Sequence, residues 1–148
     1  KAQAMTHTVE SCSVESGRAQ PQRSRLDDGG IAEVWPEHWG ISMAQCKDFL
    51  AECRKDPAWS EDYTLRDVVD KYVKPLTAGT GVGYALHLNG RCPLGVNIMV
   101  SHAWDENAGE FFEALERTVT HSDGMFICAL SLYQCQDGCG PSIAQQPR

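Results

Sequence analysis

The chain is 148 residues long and carries a net charge of −7, a balance that argues against a nucleic-acid-binding surface. That length allows one domain with a real core, and no apolar run approaches the roughly 20 residues of a membrane-spanning helix. Seven cysteines without an apolar leader sequence read as a reduced, cytoplasmic chain rather than a disulfide-built secreted one.

Residues 1–30 hold few large apolar side chains, are rich in Ser, Gln, Arg and Asp, and close on Asp27-Asp28-Gly29-Gly30. They are expected to be a disordered linker. Order is expected from Ile31, with a helical extension over 31–76. Trp35, Pro36 and Trp39 lead into a first helix capped by Ser42, with Cys46, Phe49, Leu50 and Cys53 at helical spacing and Asp56-Pro57 as its stop. Thr64 caps a second helix whose apolar positions are Leu65, Val68, Val69, Tyr72 and Val73, and Pro75 should end it. From 77 the pattern changes. Gly79, Gly81 and Gly83 make a glycine-rich turn that lacks the strand-before, helix-after setting of a phosphate loop and has no Gly-Lys-Ser/Thr. Tyr84 to Leu88 alternates like a strand and Asn89-Gly90 is a turn signal.

Val96, Ile98, Met99 and Val100 form an apolar run suited to a strand covered on both faces. The polar loop 101–106 follows. Asn107 then caps an amphipathic helix with Glu110 as capping-box partner and Ala108, Phe111, Phe112, Leu115 and Val119 on its apolar face. A second apolar run, Met125 to Leu132, reads as the next strand. Strand, helix, strand is a parallel βαβ unit, in which ligands bind at the carboxyl ends of the strands, here 101–106 and 133–140.

The segments VSHAWDENAGEFFEAL and FICALSLYQCQDGCGPSIAQQ resemble the first strand and helix, then the second strand, loop and helix start, of Toll/interleukin-1-receptor-like (TIR) domains. From Trp35 onward the chain looks like a divergent TIR-like group of marine single-celled algae. The resemblance covers about a third of the chain, chiefly Ser101-His102-Ala103-Trp104 and Gly140-Pro141-Ser142-Ile143. It implies a partial flavodoxin-like α/β fold, with 77–148 the start of a TIR-like domain that is truncated at its C-terminus. It also implies an interaction and signalling role, with Ser101, His102, Trp104 and Asp105 bordering a nucleotide cleft and Gln136, Asp137, Gly138, Gly140, Pro141 and Ser142 forming an association loop for protein partners or self-association. Catalytic members of the family cleave NAD with a glutamate on a later helix. No residue here matches it, so NAD is at most a substrate of a longer form and no cofactor is expected.

Read from the residues alone, His102 either holds the loop through neighbouring backbone or acts as a base oriented by Asp105. Trp104 either stacks on a base or seals the sheet against the N-terminal helices. Cys135 and Cys139 with His102 and Cys128 would be an incomplete zinc set, because only one close pair has the right spacing, and no metal is expected. Cys135 is a weak thiol-nucleophile candidate.

Overall fold

The structure, a computed structural model, describes residues 34–147. The linker expected over 1–30 lies outside the described residues. Pro36–His38 form a short 3-10 turn with proline at its start, and Trp39 Nε1 donates to the Val34 carbonyl at 2.7 Å. Helix α1 (Met43–Cys53) begins at a complete capping box: Ser42 Oγ accepts the Gln45 N–H, and the Gln45 side chain accepts the Ser42 N–H. Its buried face is Met43, Cys46, Phe49, Leu50 and Cys53, the spacing expected.

Thr64 caps α2 (Leu65–Val68) in the same way, with Asp67 as partner. The helix does not stop at Pro75. It continues through a π turn (Val69–Val73) into α3 (Lys74–Thr77). The reason is local: the Lys74 N–H reaches back to the Val69 carbonyl, and this wider turn relieves the clash that a proline ring makes with the carbonyl four residues before it.

The expected strand over Tyr84 to Leu88 is instead helix α4 (Tyr84–Asn89). Its alternation was real, but Ala and Leu favour a helix, and this helix buries Ala85 and Leu86 while Leu88 stays exposed. Gly83 makes the placement possible, because a Cβ there would lie 2.1 Å from the Ser131 carbonyl oxygen.

Strand β1 (Ile98–Val100) and strand β2 (Met125–Ile127) pair in parallel, Ile98 with Met125 and Val100 with Ile127, and α5 (Ala108–Thr118) connects them. The fold is therefore mixed α/β with a parallel βαβ unit, and α5 carries the expected buried face of Phe111, Phe112 and Leu115. Two strand readings need correction. β1 is not covered on both faces: Met99 is 66% exposed. The second apolar run is strand only as far as Ile127, after which α6 (Cys128–Ser131) makes a helical turn. There Ser131 Oγ accepts the Ile127 N–H at 3.1 Å, a local bond that ends the extended run.

The far edge of β2 is occupied by Ile41, whose N–H and carbonyl exchange hydrogen bonds with Met125, both at 2.9 Å. The helices and the βαβ unit share one core. Ile41, Phe49, Leu65, Val68, Phe112, Ile127 and Leu130 are all members of the same buried cluster. Among the described residues no helix is long and apolar enough to cross a membrane.

Candidate functional site at the strand ends

The carboxyl ends of β1 and β2 are joined by two side chains. His102 Nε2 lies 3.0 Å from Cys128 Sγ. The ring also stands edge-on to Trp104 and Phe111, with centroids 5.2 and 5.7 Å away. His102 Nδ1 is buried and meets no hydrogen-bond partner among the described residues. Either Nε2 accepts the S–H and Nδ1 carries the ring proton, or Nε2–H donates to sulfur. Burial raises the Cys128 thiol above its ordinary value, although backbone N–H groups at Ala129 and Cys128 pull it back. A thiol held protonated is a weak nucleophile, so the pair acts as a clasp between strand ends.

Asp105 does not orient His102. Its carboxylate turns outward to the Arg66 guanidinium at 3.1 Å, and the pair is solvent-exposed. Such a pair adds little stability. Trp104 is half-buried against the core, and the Arg66 guanidinium lies 5.9 Å from its ring centroid. Its carbonyl accepts the Arg66 N–H at 3.0 Å. The Glu106 carbonyl accepts the Leu65 N–H and the Tyr63 carbonyl accepts the Ala108 N–H. The indole thus sits where the loop is strapped to the N-terminal helices. Inside the loop, Glu106 Oε1 accepts the Ala103 N–H at 2.7 Å.

Ser101 is exposed and faces a different feature. It lines a groove of about 400 Å³ together with Val100, Glu106, Glu110, Phe111 and Leu115. Asn107 Oδ1 caps α5 through the Glu110 N–H at 3.0 Å. The Glu110 carboxylate does not close the expected box and lies in the groove wall.

The loop 134–142 is built around Asp137. Its carboxylate accepts the Gly79 N–H at 2.8 Å, the Cys139 N–H at 3.0 Å and the Tyr133 hydroxyl at 2.5 Å. These donors, the tyrosine first, hold the carboxyl down at about 2. Burial, followed by the carboxylate beside it, pushes the Tyr133 hydroxyl up to about 12. The Gly79 N–H of the glycine-rich turn thus meets a carboxylate of this same protein. Gly81, at φ +74, allows the close approach: a Cβ there would stand 2.6 Å from the Cys139 carbonyl oxygen. Gln136, Gly138, Pro141 and Ser142 remain exposed on the loop.

Among the described residues the 101–106 loop is tied to the end of β2 through His102 and Cys128, and the 134–142 loop to the glycine-rich turn through Asp137. Cys135 packs beside Thr77, its Sγ 3.4 Å from the Lys74 carbonyl, away from His102. Among the described residues no group of three or more His, Cys, Asp or Glu side chains could hold a metal ion. The Cys128–His102 clasp and the Gly79–Asp137 bond had no spacing signal in the sequence, because each joins distant segments, whereas Tyr133 and Cys139 lie within four residues of Asp137. Comparison with family models, curated proteins and solved structures finds no match to this chain.

Proposed function

We propose that this chain is a TIR-like interaction and signalling module without catalysis of its own, and that it binds protein partners or further copies of itself through Gln136 to Ser142. The observation that carries this reading is the Asp137 hub. Three hydrogen bonds hold the loop in one shape while Gln136, Gly138, Pro141 and Ser142 stay exposed. A loop ordered before it binds loses less entropy on binding. The parallel βαβ unit, with the loop following its second strand, agrees with the resemblance. The packing of Trp104 against Arg66 and the core leaves less of its ring for a nucleotide base.

A photo-crosslinking residue at Gln136 tests the proposal. Crosslinks from this position to a second polypeptide, with no NAD consumed by the chain, are expected. Absence of any crosslink from a folded protein would reject the loop as the contact. NAD turnover that falls in His102→Ala would favour the rival enzyme reading, in which 101–106 lines a nucleotide cleft.

A further inference from the structure

We propose that the free edge of β1 pairs with the free edge of β1 from a second copy of this chain, antiparallel about a two-fold axis at Met99. The sheet then continues from one copy into the other. This contact is separate from the 136–142 loop and does not rest on the TIR-like reading.

The main chain sets the edge. The Ile98 N–H donates to the Gly124 carbonyl at 3.2 Å, so Ile98 and Val100 direct their backbone groups to β2. By strand alternation the N–H and carbonyl of Met99 point the other way. Among the described residues no strand or bridge lies on that side. A two-fold axis there makes the two Met99 residues a hydrogen-bonded pair with Cα atoms about 5.5 Å apart.

Helix spacing then favours a second copy over an isolated strand. A crossover helix sits over the pair of strands it connects, half a strand spacing inside β1. With strands ~4.8 Å apart, the two α5 axes come to about 9.6 Å, within the roughly 8–10 Å of packed helices. The levels agree as well. From Asn107 to Ala114 the helix descends about 10.5 Å at ~1.5 Å per residue, close to the drop of three strand residues at ~3.3 Å each. These ideal rises set Ala114, which lines the same groove as Val100 and Ser101, near the level of Met99, where a small side chain lets the helices approach. Ala114, Phe111 and Leu115 already line the open groove beside β1.

The charges are compatible with this symmetry. Glu110 is exposed and forms no ion pair among the described residues. An antiparallel α5 pair centred on Ala114 sets Glu110 beside Thr118 and Arg117 of the second copy, not beside the other Glu110. Arg117 is exposed and pairs with Glu113 of its own helix, at 3.1 Å.

Trapping and mass measurement test the contact on the full 148-residue chain. In Met99→Cys the paired Cα distance of about 5.5 Å falls within disulfide range, so mild oxidation should yield a 99–99 linked peptide between two chains. Met99→Pro removes the outward N–H at an edge position that tolerates proline. Ala114→Arg blocks the helix approach without touching the strand. Each should weaken dimerisation at least about tenfold by sedimentation while the circular-dichroism melt is retained. A monomeric wild-type chain, or dimers unchanged in both variants, overturns the proposal. So does failure to trap the 99–99 peptide, whether the edge holds a different protein or a further strand of a longer polypeptide. Loss of Gln136 crosslinks with the 99–99 peptide intact would reject the loop alone.

Discussion

Asp137 illustrates how much one carboxylate can organise. Its pKa in the folded protein, about 2, lies below the roughly 3.9 of an unfolded aspartate. The folded state therefore binds its proton less readily, and the hub contributes stability above about pH 4 that is lost as pH falls towards 2. Asp137→Asn should lower the melting temperature at pH 7, and the gap from wild type should close when both are melted near pH 2. A gap of equal size at both pH values would mean that charge is not what holds the loop. Cys128 makes a second prediction at this scale. Its thiol is raised by burial and held against His102, whereas Cys139 is exposed. Since the thiolate is the reactive form, iodoacetamide at neutral pH should label Cys139 well before Cys128, as read by peptide mass.

The caps decide where the helices begin. Ser42 and Thr64 each complete a capping box, but Thr64 also forms a bridge to Asn107 and so fixes the loop before α5. Ser42→Ala and Thr64→Ala should each cost about 1 kcal/mol in denaturant unfolding, because each removes one capping side chain while the main-chain bridge from Thr64 to Asn107 survives the change. A markedly larger cost at Thr64 would mean that losing its cap also loosens the loop before α5. Caps were legible in the sequence because their partners lie three residues away. The α5 face was legible because its period spans the whole helix. What was not legible depends on distant neighbours. Alternation over Tyr84 to Leu88 suits a strand or a short helix, and the choice falls to the Ser131 backbone pressed against Gly83. Pro75 looked like a stop because nothing local announces a π turn that can absorb it. Met99 looked buried because its neighbours are apolar, yet pairing on one side leaves it at the rim. At the candidate site the histidine was picked out, but its partner Cys128 lies 26 residues away and the nearer Asp105 turned to Arg66.

At the scale of the whole molecule, the short two-stranded sheet depends on the helices around it, since so few strands are not stable alone. The straps from Tyr63, Leu65 and Arg66 to 104–108 tie the helices to the βαβ unit, and one buried cluster runs through both. Unfolding should accordingly be a single transition. Ile127 is the place to test this, because it is fully buried, pairs with Val100 and belongs to that cluster. Ile127→Ala removes buried methyl groups and leaves a cavity, at a cost of about 2–5 kcal/mol. Against a total stability of roughly 5–15 kcal/mol for an ordinary domain, that is a large fraction. Helical circular dichroism and tryptophan fluorescence should shift to a lower midpoint together, because the helices cannot keep their core once β2 loosens. Met99→Ala on the neighbouring strand, at an exposed position, should move neither signal in the monomer. If Ile127→Ala instead splits the melt into two steps, with the helical signal outlasting the sheet, then the N-terminal helices hold a core of their own and the straps only attach the βαβ unit to it.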